Sequence, residues 1–176
     1  MDNGQVILVD EKDNPVGVAE KMEAHQKGIL HRAFSIFIFN ANGEMLLQKR
    51  ALNKYHSAGL WSNACCSHPA PGEETDKAAA KRLKEEMGFT APVKKIFDFI
   101  YKAEFENGLT EYEFDHVYVG EYNGAVEMNS NEVMDHRWEG MEELERSFKS
   151  KPREFTFWFK LVFPQIKEWW KRHYKV

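Results

Sequence analysis

The sequence predicts an α/β sandwich built around a mixed sheet, folded as a single domain over residues 1–176. Three observations predict it. Short apolar runs of strand length alternate with a few stretches of helical period. The pairs Asn42-Gly43 and Asn107-Gly108 stand between such runs, where a tight hairpin turn needs them. At 176 residues, 43% apolar and 14% aromatic, the chain is large enough to bury a core without disulfide staples.

Each element follows from local chemistry. Val6–Val9 reads as a strand, Asp10–Pro15 as a turn and Val16–Val18 as a returning strand. Lys21–Gln26 reads as a short helix closed near Gly28. Phe34–Phe39 and Glu44–Lys49 flank Ala41-Asn42-Gly43 as a hairpin, and Pro71-Gly72 marks a loop. Thr75 supplies an N-cap for a helix running to about Met87, with Gly88 as its left-handed stop. On that helix Ala79, Leu83 and Met87 recur at the spacing of a core face, leaving Lys77, Lys81 and Lys84 to water. Val93–Phe105 and Leu109–Tyr122 form a second hairpin turned at Asn107-Gly108, and Val133–Trp138 a last strand. Two helices close the chain: Met141–Phe148, and a longer one from about Arg153 to Tyr174, bent or broken at Pro164.

Composition excludes several classes. A net charge of −4 argues against a general polyanion binder, so no nucleic-acid partner is expected. No apolar run approaches the ~20 residues of a membrane helix. The segment Lys167–Arg172 reads as a helix packing Trp169 and Trp170 on the domain rather than as a membrane anchor. The opening Met1–Gln5 lacks the basic-then-apolar order of a secretory signal. Cys65 and Cys66 are neighbours, which seldom meet disulfide geometry, so free thiols and a cytoplasmic location are expected.

The chemistry-bearing residues cluster in two places. Cys66 precedes His68 by two positions, and Glu111 and Glu113 alternate in a strand-like run, so both point to one face. Thiol, imidazole and paired carboxylates bind divalent metals and move protons. Gly28 can end the short helix, a spacing that allows His25 and His31 to converge. His56, His116, His136 and His173 read as ordinary surface or satisfied core residues. On sequence alone Cys65 reads as buried, Tyr101 as a strand aromatic, and Trp158, inside Phe155–Phe159, as core.

Residues 72–89 run Gly-Glu and then a helix ending Glu85-Glu86-Met87-Gly88-Phe89. This resembles the Nudix box. Aligned on Gly88, Glu73 meets the first Glu of the box, Leu83 its apolar site, and Glu85 and Glu86 its acidic pair. Ser67 stands where the box has its leading Gly, Lys81 where it has Arg, and Arg82 where it has the next Glu. A cation at Arg82 cannot ligate Mg²⁺, so the resemblance implies a Nudix-like α/β/α sandwich with additional helices whose hydrolytic metal cluster is broken.

The wider pattern resembles type I isopentenyl diphosphate isomerase, a branch of that fold. It runs from Ala19-Glu20-Lys21 through His25, His31, Lys49–Leu52, Trp61-Ser62-Asn63, Cys66–Pro69, Tyr101, Glu111, Glu113 and Asn131–Met134 to Trp158. The resemblance implies that His25, His31, His68, Glu111 and Glu113 hold one divalent metal, Mn²⁺ or Mg²⁺, with Zn²⁺ also accepted by such donors. It implies a second site at Glu86 and the Cys66 carbonyl, where Mg²⁺ arrives with the diphosphate. Cys66 and Glu113 are the implied proton-transfer pair, Tyr101 a polarising group, and Trp158 a π face for a cationic carbon. Lys21, Arg50, Lys54, Ser67 and Arg82 are implied to bind the diphosphate of a small allylic or homoallylic substrate. Two other readings stay open: a Nudix hydrolase of a nucleoside diphosphate derivative, and a non-catalytic ligand-binding module.

Overall fold

The computed structural model describes residues 4–174. β1 (Gln5–Val9) and β2 (Pro15–Glu20) form an antiparallel hairpin. α1 (Lys21–Lys27) follows and ends at Gly28, whose φ of 65° is left-handed. β3 (His31–Phe39) is buried at every position except Arg32, the mark of a strand covered on both faces. β4 (Met45–Arg50), β5 (Trp61–Ser62) and β6 (Cys65–Ser67) precede α2 (Thr75–Met87). β7 (Val93–Glu104) and β8 (Thr110–Glu121) are the long hairpin, and β9 (Val133–Glu139) the last strand. α3 (Met141–Ser150), a 3-10 turn (Pro152–Glu154) and α4 (Phe157–His173) complete the chain.

β3 organises the sheet. It pairs with β8 in parallel from His31↔Glu113 to Phe39↔Glu121. Its other edge is shared in turn by β1 at His31, β6 at Phe34–Ile36 and β4 at Phe39. The alternation along β3 then divides the core. Phe37 and Phe39, with Val117 and Val119 of β8, pack under Met141, Leu144, Trp158, Phe159 and Phe163 of α3 and α4. Phe34, Ile36 and Ile38, with Tyr118, pack under Ala79, Leu83 and Met87 of α2. This is the expected mixed-sheet sandwich.

Several local expectations are corrected. The turn at Gly43 forms, but β3 and β4 share only the pair Phe39↔Met45. β6 takes the β3 edge that β4 would use, and β4 instead pairs with β5 and β9. β5 and β6 are too short to reveal themselves by alternation. Thr75 is the first helical residue rather than the cap; Glu74 holds that position with no side-chain cap bond. α4 starts at Phe157 because residues 155 and 156 are held extended by the Trp61↔Phe155 bridge and by the Thr156 N–H to the Trp61 carbonyl. Pro164 neither ends nor splits α4. It lies on the exposed side of the helix, where water can reach the carbonyl it leaves without a donor. Trp170 packs on the domain as expected, its Nε1–H donating to the Gly43 carbonyl at 2.8 Å.

Candidate metal and proton-transfer site

The register of four strands assembles the site. On β8 the two-residue period puts Glu111, Glu113 and Asp115 on the face toward α4. The same rule sends Tyr112 and Phe114 to the opposite side, against Ile7, Val9 and Leu30. His31 lies beside Glu113 across the parallel ladder, Cys66 opposite Ser35 on β6, and Tyr101 opposite Glu113 on β7. His25 reaches the group because Gly28 turns the chain back after α1.

The imidazoles gather rather than scatter. Ring centroids of His25 and His31 are 5.0 Å apart, those of His31 and His68 5.0 Å, and those of His25 and His68 5.9 Å. Donor atoms of His25, His31 and His68 fall within 4.8 Å of one another, as do those of His25, His56 and Glu111. His25 Nδ1 is 2.7 Å from the Lys21 carbonyl and His31 Nδ1 2.8 Å from the Ile29 carbonyl. Those bonds fix the Nδ1–H tautomer and turn each Nε2 lone pair inward. The Nε2 atoms of His25 and His31 are buried with no hydrogen-bond partner. Nitrogen lone pairs aimed at one point beside two carboxylates are the donor set a divalent cation requires, and so the residues fit a metal.

Burial, reinforced by the neighbouring His68, pushes His31 down to about 3, so it stays neutral as a ligand must. Burial also works against ionisation of Glu111, but the contacts from His25, His56 and Tyr101 outweigh it and hold this carboxyl well below its usual range. Glu113 goes the opposite way: burial and then the charge of Glu111 raise it well above the carboxylate range. The Tyr101 hydroxyl donates to Glu111 and stands 3.3 Å from Glu113 Oε2. Burial and mutual repulsion thus push the two acids in opposite directions.

Cys66 is the second focus. Its Sγ donates to Asn63 Oδ1 at 3.2 Å and accepts from Trp158 Nε1 at 3.2 Å, with Ser35 Oγ at 3.5 Å. Asn63 is itself locked, donating to the carbonyls of Ile36 and Cys65. Burial, then the nearby Asp115, pushes the thiol up to about 12, so it carries a proton at neutral pH. Cys66, Glu113, Glu111, His68, Arg50, Ser67 and Trp158 line one cavity of about 30 Å³.

With this geometry in place, the comparisons decide the family. The NUDIX domain matches over residues 29–159. A relative from Photorhabdus laumondii, isopentenyl-diphosphate Delta-isomerase 2, is 50% identical over 93% of this chain and 96% of its own length. A protein of the same name from Aromatoleum aromaticum is 52% identical over 88% of this chain and 82% of its own. The chain belongs to the isopentenyl-diphosphate Delta-isomerase family of NUDIX proteins. Solved structures support the fold alone. A Deinococcus radiodurans protein aligns with a TM-score of 0.74 at 18% identity over 90% of this chain and 96% of its own. The MutT protein of Methanosarcina mazei aligns with 0.65 at 20% identity, covering 84% and 96%.

The family's modified box is visible as structure. Glu86 is buried on α2, accepting from Cys65 Sγ at 2.5 Å. Arg82 reaches Glu85 at 2.8 Å, Glu86 at 3.6 Å and Glu132 at 3.8 Å. Lys54 bonds to the other oxygen of Glu132, so two cations expected at the diphosphate share this carboxylate. Arg50 is buried, 5.2 Å over the Trp158 ring, with its Nε unsatisfied. Lys21 lies 4.4 Å over the Tyr55 ring.

Sequence reasoning missed three members of the site. His56, read as an ordinary histidine, has Nε2 2.8 Å from Glu111 Oε2. Asp115 is buried and accepts from Ser35 Oγ at 2.7 Å. Asp115 extends the Glu111, Glu113 alternation by one more step, a signal that was available; nothing local marks His56 or Ser35. His116 Nε2 lies 2.9 Å from Asp13 Oδ2 without an aligned hydrogen bond.

Proposed function

We propose that this chain interconverts isopentenyl diphosphate and dimethylallyl diphosphate, adding a proton to one carbon of the alkene and removing one from another. The observation that carries the reading is the convergence of a thiol, Cys66, and a carboxyl, Glu113, on one small cavity, where one can give a proton as the other takes one. The family relationship supplies the substrate class. Among the described residues no helix is long and apolar enough to cross a membrane.

The chain's own groups divide the work. Cys66 holds its proton against Asn63 Oδ1 while Trp158 N–H fixes the sulfur, giving one acid–base group. Glu113, lining the same cavity, is the other. Tyr101 links the two carboxyls and can relay a proton between them. The buried walls exclude the water that would trap a tertiary carbocation, and the Trp158 ring offers π density to that cation. His25, His31, His68, Glu111 and Glu113 would hold the divalent ion, Mn²⁺, Mg²⁺ or Zn²⁺. When bound, that ion supplies positive charge that tunes the acidity of Glu113. Arg50, with its unsatisfied Nε, would bind the diphosphate with Lys21, Lys54, Ser67 and Arg82, and Glu86 and the Cys66 carbonyl would hold the Mg²⁺ that accompanies it. A cavity of about 30 Å³ holds roughly one water, so its rim must part to admit substrate.

Incubation with isopentenyl diphosphate and a divalent metal in deuterated water tests the reading. Deuterium in dimethylallyl diphosphate without phosphate release is expected. Phosphate release, or binding without turnover, refutes it.

A further inference from the structure

Thr156 stands at the N-cap of α4, where a threonine hydroxyl ordinarily accepts a hydrogen bond from a backbone N–H of the first turn. Here it makes no such bond, although the side chain is fully buried. Its Oγ1 lies instead 3.0 Å from Ser62 Oγ on β5, a residue 94 positions earlier. The direction of every bond beyond that point is fixed. Asn63 Nδ2 donates to the carbonyls of Ile36 at 3.0 Å and Cys65 at 3.1 Å, which can only accept. The amide therefore cannot flip, and its Oδ1 accepts from Ser62 Oγ at 2.9 Å and from Cys66 Sγ at 3.2 Å. Ser62 has spent its one hydrogen on Asn63, so Thr156 donates to Ser62. Trp158 Nε1–H, which can only donate, reaches the sulfur at 3.2 Å. One arm runs from Thr156 through Ser62 to Asn63, and the other from Trp158 through Cys66 to the same oxygen. Thr156 and Trp158 are two positions apart, so the circuit closes through the start of α4.

We infer that Thr156 is a positioning residue for proton transfer: through Ser62 and Asn63, its hydroxyl sets the Cys66 thiol against the Trp158 indole. The thiol is carried by β6 and the indole by α4, and this chain of side chains ties the two elements. Ser62, Asn63, Thr156 and Trp158 are all buried, where each bond of such a chain polarises the next. Cys66 and Trp158 line the cavity, whereas Ser62, Asn63 and Thr156 stand behind them and act through the sulfur. A misplacement of about 1 Å at a reacting group costs on the order of 10²-fold in rate. The tie therefore bears on kcat rather than on substrate affinity. A helix that gives up its own cap for a distant contact breaks a local rule, which marks a functional constraint. The inference deepens the proposed isomerase reading and rests on it.

Two substitutions separate the hydroxyl from the packing. Thr156→Val keeps the shape and loses the donor; Thr156→Ser keeps the donor and loses a methyl. In the deuterium-incorporation assay Thr156→Val is expected to lower kcat about tenfold, with KM within about twofold of wild type. Thr156→Ser is expected to recover most of kcat. Wild-type kcat in Thr156→Val, or an equal loss in Thr156→Ser, overturns the inference. The infrared S–H stretching band of Cys66, assigned by its disappearance in Cys66→Ser, gives a readout that needs no turnover. The band is expected below the free-thiol position in wild type and Thr156→Ser, and nearer that position in Thr156→Val. A band that does not move in Thr156→Val overturns the inference. The expected band shifts in a protein that does not isomerise overturn the isomerase reading and leave the network standing. Should Thr156→Val not fold, Ser62→Ala breaks the same chain one bond later, with the same expected loss and the same refuting results.

Discussion

Replacing Cys66 by Ala separates stability from chemistry. The sulfur accepts from Trp158 N–H and donates to Asn63, both at 3.2 Å. Its removal costs about 0.8 kcal/mol of transfer energy, as for one methylene. Leaving the Trp158 N–H without an acceptor adds about 1–3 kcal/mol. The total, about 2–4 kcal/mol, lies below the 5–15 kcal/mol typical of a domain, so Cys66→Ala stays folded. Losing a proton-transfer group costs about 10²–10⁴ in rate, or about 3–5 kcal/mol of barrier. Cys66→Ser restores an acceptor for Trp158 and recovers most of the stability. It does not recover the rate, because a hydroxyl is a far weaker acid than a thiol. The assays are urea unfolding for stability and deuterium incorporation into product for rate. Turnover of Cys66→Ala within tenfold of wild type, or full rescue by Cys66→Ser, refutes the role assigned to the thiol.

Three further outcomes are expected. Burial and then Glu113 raise Asp115 well above its usual range, so the folded chain holds this proton more tightly than the unfolded one. That contribution is fully present below the unfolded carboxylate value of about 3.9 and is lost as pH rises through the folded one. Asp115→Asn cannot ionise, so with metal chelated its urea midpoint exceeds that of wild type by more at pH 8 than at pH 4.5; a constant difference refutes this. Gly88→Ala places a Cβ 2.1 Å from the Glu127 carbonyl oxygen at φ +77°, and urea unfolding is expected to show a loss of at least about 2 kcal/mol. A Gly88→Ala midpoint equal to wild type would contradict the close approach. Chelation lowers the melting temperature, since a metal at about a hundredfold its Kd stabilises by about 2.7 kcal/mol. An identical melt with and without chelator argues against a resident ion.

Much of this protein was legible in its residues. Period-two alternation placed Glu111 and Glu113 on one face and sent Tyr112 and Phe114 to the other. The turns at Gly28, Gly43, Gly88 and Gly108 all have positive φ, a conformation that glycine adopts at no steric cost. The box from Gly72 to Phe89 announced α2, and its cation at Arg82 announced a departure from hydrolytic metal binding. These features are local: each is fixed by neighbours a few positions away.

What the tertiary structure decided is which distant segments share an edge. β6 on β3, rather than β4, brings Cys66 opposite Ser35 and within reach of Trp158. The loop after β4 delivers His56 to Glu111, and Glu132 collects Lys54 and Arg82. No spacing along the chain encodes such contacts, because they arise from competition among strands for hydrogen-bonding edges and from the burial of side chains far apart in sequence.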